Sequence, residues 1–197
     1  MNKIILQNSY FNIEERSIDG LEDPYFIMNC TNAVICTVLD NKDNLLMVRQ
    51  SRPAIGEETL EMPAGGIEVN ESPKEAIERE LKEEIQHECD LLYLGGDYTL
   101  MSSRINMKVF YFFGMNPFQI DNEAEEGLEL ERIPRLMLGE KIRSREFTQI
   151  GGIANLQLIG LYLNLDLLTA TYKEIENAFR DAYVKDQKQK TNLIKKA

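Results

Sequence analysis

The sequence is poor in the residues on which several kinds of site depend. It has no tryptophan, three cysteines and a single histidine, His87, among 197 residues. One histidine excludes a zinc or iron site built from several histidines, and it allows a Ser-His-Asp triad only through His87 itself. Three cysteines without a close pairing pattern predict reduced thiols and a cytoplasmic protein.

Basic residues and long apolar runs are scarce as well. The chain has 22 Lys and Arg against 33 Asp and Glu, which gives a net charge of −11. Binding to nucleic acid or to an anionic membrane needs a basic surface, so we expect neither partner. The first residues are too polar for the core of a signal peptide, and no apolar run approaches the roughly 20 residues that span a bilayer. An acidic protein that binds a phosphorylated substrate must supply positive charge locally, from arginines or from a bound metal.

What the chain does have is one stretch, residues 63–84, with the pattern of a loop followed by a helix. Ser72 is a favourable N-cap, a proline occupies the first helical position, and Glu75 completes a capping box. These signals predict a helix from Pro73 to Ile85. The two glycines before it are predicted to bend the backbone tightly.

The predicted helix carries two stripes. The apolar stripe, expected to face the core, consists of Ile77, Leu81 and Ile85. The acidic stripe consists of Glu80, Glu83 and Glu84. Like charges at this spacing repel, so the helix needs a neutralising group. That group is either Arg79, which can reach Glu83 or Glu75, or a hard divalent cation such as Mg²⁺ or Mn²⁺. The alternative is a solvated acidic face without a ligand.

The spacing favours the metal. One spacing pattern begins at Gly65, continues after five residues with Glu71, and after seven more reaches Arg79-Glu80-Leu81-Lys82-Glu83-Glu84. This pattern resembles the Nudix hydrolase box, G-x5-E-x7-R-E-U-x-E-E-x-G-U, where U is a bulky aliphatic residue. The match fails at its end, where Gln86 and His87 replace a glycine and an aliphatic residue. The missing glycine changes how the helix ends, because glycine normally provides a left-handed cap. No metal ligand is lost.

The resemblance extends beyond the box. Residues 48–52, 58–65 and 142–148 are similar to the ADP-ribose pyrophosphatase and nucleoside-diphosphate-sugar hydrolase group. This resemblance implies an α/β fold, an α/β/α sandwich with a mixed sheet and a short N-terminal β region. It divides the chain into N-terminal strands that serve as a dimerisation element (1–32), a Nudix hydrolase domain (33–170) and a C-terminal helical extension (171–197). Relatives in this group are often dimers, so we expect a homodimer.

The resemblance also implies roles for individual residues. The metal ligands would be the Ala64 carbonyl, Glu80 and Glu84, with Glu83 as an accessory ligand. Arg79 would orient the carboxylates, and Glu71 would support the junction of loop and helix. A further glutamate, acting as base or extra ligand, is expected on the acidic loop, residues 121–127, where we prefer Glu126, then Glu125, over Glu123. Substrate contacts are expected from Arg49, Arg52, Glu61, Ser103 and Arg104, with Ser102 as a further diphosphate ligand.

The implied activity is Mg²⁺-dependent hydrolysis of the pyrophosphate bond in a nucleoside diphosphate linked to a second group, with Mn²⁺ as a substitute metal. ADP-ribose, giving AMP and ribose 5-phosphate, is the first expectation, followed by another nucleotide sugar. The segment 99–104 lacks the proline usual in the ADP-ribose branch, so other substrates stay open. These are a dinucleoside polyphosphate or an oxidised nucleotide. The alternative to an enzyme is a protein with the Nudix fold that senses nucleotides without hydrolysing them.

Hydrophobic patterning predicts the remaining elements. Strands are expected at 33–39, 45–50, 60–62, 91–94, 108–114 and 128–133, with shorter ones before residue 33. A turn is expected at Gly95-Gly96. Helices are expected at 136–142, at 153–168 and from residue 171 onward.

Overall fold

The computed structural model describes residues 2–123 and 125–194. Its strands are β1 (Asn2–Gln7), β2 (Phe11–Arg16), β3 (Tyr25–Cys30), β4 (Ala33–Leu39), β5 (Asn44–Arg52), β6 (Glu57–Glu61), β7 (Ala64–Gly66), β8 (His87–Thr99), β9 (Ile105–Asn106), β10 (Lys108–Gln119) and β11 (Leu128–Pro134). Its helices are α1 (Pro73–Ile85), α2 (Leu138–Arg143), α3 (Ile150–Leu163) and α4 (Tyr172–Ile194), with a 3-10 turn at Arg135–Met137. No helix within these ranges is both long enough and apolar enough to cross a membrane.

The main sheet is mixed and has seven strands. Its central order is β11-β5-β4-β10-β8, while β6 pairs with β5 and β7 pairs with β4. The β4–β10 pair is parallel and the other pairs are antiparallel. The expected hairpin of β4 and β5 is confirmed. Strand β4 is apolar except for Thr37 and is buried from Val34 to Leu39, as expected of a central strand covered on both faces.

Helices cover both faces of the main sheet. Because side chains alternate along a strand, Val34 and Cys36 of β4 pack with α1, whereas Ile35 and Leu39 pack with α3 and α4. The predicted apolar stripe of α1 is buried against the first of these clusters. Phe179 of α4 stacks edge-on against Phe113 in the second. The predicted α/β fold with a mixed sheet between helices is therefore confirmed.

A second sheet, here called the N-terminal sheet, has the order β1-β2-β3-β9. Strand β9 joins it from the middle of the chain, through Met28–Ile105 pairing with β3. Among its described side chains only Glu14 is buried, and large apolar side chains are exposed. They are Ile4, Ile5, Leu6 and Phe26. The proposed division at residues 32 and 170 stays a prediction, and α4 packs on the main core.

Three local predictions were wrong. Gly65 and Gly66 do not form a tight bend but lie in β7, where Gly65 pairs with Val34. Gly95-Gly96 is not a turn between strands, because β8 continues through it with a bulge at Gly95, whose φ is +70°. Helix α3 starts three residues earlier than predicted and ends at Leu163, because Asn164 adopts a left-handed conformation. The end of the predicted terminal helix, residues 195–197, lies outside the described residues.

Candidate active site

Helix α1 is fixed at both ends by side chains. The Ser72 hydroxyl accepts a hydrogen bond from the Glu75 N–H, and the Glu75 carboxylate accepts one from the Ser72 N–H, so the predicted capping box and helix are confirmed. At the other end Gln86 takes the left-handed position with φ 57°. A residue with a Cβ costs about 1–2 kcal/mol there. Gln86 also forms hydrogen bonds that offset part of this cost. Its side-chain Nε2 donates to the Asn122 carbonyl of the acidic loop at 3.1 Å, and its backbone carbonyl accepts from the Ile120 N–H.

Arg79 binds several groups around the acidic stripe. Its Nε and Nη2 donate to the two oxygens of Glu71 at 2.9 and 3.0 Å. Its Nη1 donates to Glu80 at 2.7 Å and to Glu83 at 3.0 Å, and Nη2 also reaches the Gly66 carbonyl. The hydrogen bond with Arg79 lowers the pKa of the Glu71 carboxyl. The hydrogen bonds to the carboxylates raise the pKa of the Arg79 guanidinium, and the bond to Glu71 has the largest effect. One arginine therefore binds three carboxylates and connects the middle of α1 to the segment before the helix and to β7.

Glu80 and Glu84 are the buried carboxylates of the helix, each 7% exposed. Glu84 accepts a hydrogen bond from the Ala64 N–H at 2.9 Å, and within the described part of the chain it forms no salt bridge. Burial raises its pKa to about 8, and the charges of Glu80 and Glu125 add to the effect. Burial also raises the pKa of Glu80, although Arg79 opposes it. The site therefore holds more negative charge than its arginines offset.

Glycine is required at position 65 for a steric reason that differs from the predicted bend. A Cβ at Gly65 would overlap the Glu80 carboxylate. Gly66, its neighbour, has more room, since the nearest atom to a Cβ there is the Thr31 hydroxyl at 3.5 Å. Gly65 thus allows strand β7 to approach the buried carboxylate.

The acidic loop after β10 lies against the end of α1. The Glu125 N–H donates to the Glu83 carbonyl at 3.1 Å, and the Asn122 side chain donates to the Lys82 carbonyl at 2.9 Å. The charge of Glu125 contributes to the raised pKa of both Glu80 and Glu84. We call Glu80, Glu84 and Glu125 the carboxylate cluster. The other two loop candidates, Glu123 and Glu126, lie on the same loop, and all three glutamates are exposed.

Arg52 lies beside this cluster, paired with Glu61. Its Nε and Nη2 donate to the two Glu61 oxygens at 2.8 and 2.6 Å, and the Thr59 hydroxyl and the Gln149 amide donate to the same carboxylate. Burial opposes ionisation of Glu61, but these donors together lower its pKa. The hydrogen bond with Glu61 raises the pKa of Arg52, and the charges of Glu84 and Glu125 raise it further. Sequence reasoning missed Gln149, since no motif includes it.

The other expected substrate residues lie elsewhere. Arg49 is ion-paired with Glu131 and, at 3.6 Å, with Glu146. Ser103 and Arg104 line a cavity of about 350 Å³ beside the N-terminal sheet. There the Arg104 guanidinium lies 3.8 Å from the centre of the Tyr25 ring, and the Tyr25 hydroxyl donates to the Ser103 carbonyl. The structure brings Arg52 and Glu61 to the carboxylate cluster, but the described contacts of Arg49, Ser103 and Arg104 are with other groups.

The donor chemistry of the cluster fits a hard divalent cation. Carboxylate and carbonyl oxygens are the ligands that Mg²⁺ prefers, and the raised pKa of Glu84 shows that a cation would relieve an electrostatic cost. No group of three or more His, Cys, Asp or Glu residues in the described ranges is already arranged around a metal position. The side chains therefore fit the ion by type and charge.

Comparison with known proteins agrees with this site. The sequence model of the NUDIX domain matches residues 30–148, which contain β7, α1, the acidic loop and Arg52. A solved structure described as an ADP compounds hydrolase superposes with a TM-score of 0.69 over 83% of this chain and 92% of the other, at 21% sequence identity. At that identity the likeness concerns the fold.

One curated relative matches a shorter segment. A methanol dehydrogenase activator from Bacillus methanolicus is 34% identical over 64 residues, which are 32% of this chain. The match spans about a third of that relative's length, 35%. The domain model, in contrast, covers more than half of the 197 residues, together with all box carboxylates. The chain therefore belongs to the NUDIX family.

Proposed function

We propose that this protein hydrolyses the pyrophosphate bond of a nucleoside diphosphate linked to a second group, with Mg²⁺ as its metal and ADP-ribose as its first substrate. The observation that carries the proposal is the pair of buried carboxylates, Glu80 and Glu84, next to a fixed cation, Arg52. The name of the structural neighbour, an ADP compounds hydrolase, supports the substrate class. Another nucleotide sugar, a dinucleoside polyphosphate or an oxidised nucleotide would use the same box.

The metal would be held by the Ala64 carbonyl, Glu80 and Glu84, with Glu83 as accessory ligand. Nudix hydrolases generally use divalent metal ions. Such an ion would neutralise charge on the phosphate oxygens and lower the pKa of a bound water. Mn²⁺ prefers the same oxygen ligands as Mg²⁺ and would serve as a substitute. Arg79 keeps Glu80 and Glu83 oriented through its hydrogen bonds. Ionised carboxylates are needed for binding, so the high pKa of Glu84 makes metal binding release a proton near neutral pH.

The remaining residues of the site act on the substrate and on water. Arg52 binds a phosphate oxygen, because its guanidinium is partly exposed within electrostatic reach of Glu84 and Glu125, while Glu61 holds Nε and Nη2. A loop glutamate accepts a proton from the attacking water, whose oxygen bonds to one phosphorus as the bridging P–O bond breaks. For that base we prefer Glu125 over Glu126, since the charge of Glu125 acts on Glu80 and Glu84. With ADP-ribose the products are AMP and ribose 5-phosphate.

Ser103 and Arg104 are proposed to bind a more distant part of the substrate, and Arg49 to support β5 through its acidic partners. The cavity beside the N-terminal sheet offers an aromatic ring, two arginines and hydroxyl groups.

The exposed apolar side chains of that sheet support its role in a homodimer, since contiguous exposed apolar surface marks interfaces. The three free cysteines support a cytoplasmic location.

A regulatory, non-hydrolysing function is the second candidate. It is favoured by the name of the matched relative, an activator of a dehydrogenase, and by the altered end of the box at Gln86 and His87. Gln86 nevertheless caps α1 in the left-handed conformation that a glycine would take. The helix carrying the carboxylates is therefore intact, which favours hydrolysis.

The test is turnover of a panel with Mg²⁺ or Mn²⁺ and with EDTA: ADP-ribose, ADP-glucose, GDP-mannose, NADH and Ap4A. We expect metal-dependent cleavage of ADP-ribose above the others. Glu84→Gln should lower kcat by at least about a hundredfold, because it removes the buried charge that neutralises the metal. Glu78→Gln, half-exposed on the same helix and paired with Lys74, is the matched control and should keep activity. Absence of turnover with every substrate would support the regulatory function.

A further inference from the structure

Gln149 occupies the N-cap of α3 but does not act as a cap. Its backbone has φ −64° and ψ 101°, and within the described residues its side chain makes no hydrogen bond to the start of α3. N-cap side chains normally satisfy the free N–H groups of the first turn. Gln149 instead reaches β6 and the residue after it. Its Oε1 accepts from the Met62 N–H at 2.9 Å, and its Nε2 donates to Glu61 at 3.0 Å.

Gly152, one turn further along α3, gives Gln149 the space for this contact. A Cβ at Gly152 would lie 2.6 Å from the Gln149 Oε1 and 2.7 Å from the Phe147 ring. Glycine inside a helix is unfavourable by about 1 kcal/mol relative to alanine. The helix accommodates this residue where a side chain would push Gln149 away from Met62.

The contact completes the fixation of one carboxylate. Glu61 is 7% exposed, and each of its oxygens has two donors. Oε1 accepts from Arg52 and Thr59, while Oε2 accepts from Arg52 and Gln149. A carboxylate bound at both oxygens by fixed groups cannot rotate. Because the pairing with Arg52 is bidentate, the plane of the guanidinium is fixed as well.

Of the three connected residues Gln149, Glu61 and Arg52, it is Arg52 that is exposed beside the carboxylate cluster. Its side chain is 43% exposed, whereas the Glu61 side chain is 9% exposed. Glu84 and Glu125 both act electrostatically on Arg52. The guanidinium therefore presents one edge to Glu61 and remains accessible beside the carboxylate cluster.

We propose that Gln149 is a positioning residue that, through Glu61, holds the Arg52 guanidinium in the orientation that binds the substrate diphosphate. The inference rests on the proposed function for the identity of the ligand. The competing explanation is that Gln149 only joins α3 to β6, in which case its loss would affect stability and leave Arg52 as it is.

The kinetic test uses Gln149→Met, which keeps the length of the side chain and removes its hydrogen bonds. With ADP-ribose we expect KM to rise roughly tenfold, as for loss of a hydrogen bond to a charged group, and kcat to change less than about twofold. Gln157→Met, the same change at an exposed position of α3, is the matched control and should behave as the wild type. An unchanged KM in Gln149→Met would overturn the inference.

A double-mutant cycle tests whether Gln149 acts through Arg52. In an Arg52→Met background, Gln149→Met should have almost no further effect on KM, because the group that it positions is absent. If the two effects multiply instead, Gln149 acts independently of Arg52 and the inference is wrong. Thermal unfolding of each variant identifies any change that is only a loss of folded protein.

A spectroscopic measurement is independent of turnover. The Nε–H signal of Arg52 in the NMR spectrum, assigned by its disappearance in Arg52→Met, should exchange with water at least about tenfold faster in Gln149→Met than in the wild type or Gln157→Met. Equal exchange rates would overturn the positioning role even in an active enzyme. If no substrate of the panel is hydrolysed, the proposed function fails, and the exchange rates still decide whether Gln149 positions Arg52.

Discussion

Two groups of charged residues, each built around a buried charged side chain, differ in how their charges are balanced. The first, the arginine latch, consists of Arg135, Asp43 and the carbonyls of Leu167 and Ala170. Arg135 is 1% exposed, donates to both Asp43 oxygens at 2.6 and 2.9 Å, and donates to both carbonyls. The second is the carboxylate cluster, in which Glu84 is also buried, at 7% exposure, but accepts its hydrogen bond from a backbone amide.

The difference separates a structural ion pair from a ligand site. In the latch, a charge of each sign is paired and every nitrogen of the guanidinium has an acceptor, so the pair carries no excess charge that a ligand would have to balance. In the carboxylate cluster, burial and neighbouring carboxylates raise the pKa of Glu84 to about 8. A buried excess of one charge is unfavourable to the fold and is expected where a counter-ion binds.

Breaking the latch should cause the largest loss of stability. Asp43 has φ +63°, which asparagine tolerates, so Asp43→Asn removes the charge with little change in backbone preference. It leaves a buried guanidinium without its counter-charge, and we expect the free energy of unfolding to fall by about 2–4 kcal/mol, since Asp43 is partly exposed. Denaturant unfolding measures this, with the exposed Asp181→Asn as control. Reduced turnover per folded molecule would show that the latch also serves the site.

A methyl group at Gly65 should damage the carboxylate cluster without breaking the latch. Gly65→Ala displaces Glu80, and misplacement of a catalytic group by about 1 Å typically lowers the rate by about a hundredfold. Gly66→Ala meets its nearest neighbour at an ordinary distance and should keep most of the activity. The measurement is kcat/KM for both variants with Mg²⁺. Equal losses in the two would show that the backbone, not Glu80, requires glycine here.

Neutralising Glu84 should stabilise the metal-free protein, the reverse of the result for Asp43. The pKa of Glu84 is about 8 in the folded state, and that of an unfolded glutamate is about 4.3. Between these values the folded state binds more protons, so the stability falls as pH rises. From these two values, Glu84→Gln should be more stable than the wild type by up to about 4–5 kcal/mol at pH 8 and nearly equal to it at pH 4.

Denaturant unfolding in EDTA at the two pH values checks this prediction, with Glu78→Gln as control. A wild-type protein that is as stable as Glu84→Gln at pH 8 would show that the buried carboxylate is already compensated without metal.

The smallest expected effect is the pH dependence of metal binding. Since Glu84 must be ionised to bind a cation, the apparent affinity for Mg²⁺ should fall as pH decreases below about 8, approaching tenfold per pH unit. Calorimetric titration at pH 7, 8 and 9 measures the affinity, and titrations in buffers of different ionisation enthalpy count the released proton. A constant affinity over this range would place the metal on carboxylates other than Glu84.

Local sequence patterns were sufficient for α1. Its capping box involves residues three apart, and its apolar stripe repeats with the helical period, so both are visible without knowledge of the fold. The hairpin of β4 and β5 was predictable for the same reason. The position of Glu80, Glu83 and Glu84 on one side of α1 follows from the helical period alone.

Features that depend on contacts between distant segments were missed or misread. Gly65 was explained as a bend, whereas its cause is Glu80, fifteen positions away on another element. The bulge at Gly95 exists because β8 must stay paired with β10, which keeps the chain extended where a glycine pair usually turns. The choice between Glu125 and Glu126 depends on how the acidic loop binds the end of α1, through Glu83 and Asn122.

The sequence by itself determined the capped helix, the order of its carboxylates and the resemblance to the Nudix box, because these are set by neighbours along the chain. Only the tertiary structure decided which charges are balanced. Whether a carboxylate is a structural partner of a buried arginine, as Asp43 is, or a site for a cation, as we propose for Glu84, depends on the groups that folding brings around it. Electrostatic energies depend on distance and burial in space, and neither quantity is encoded in spacing along the chain.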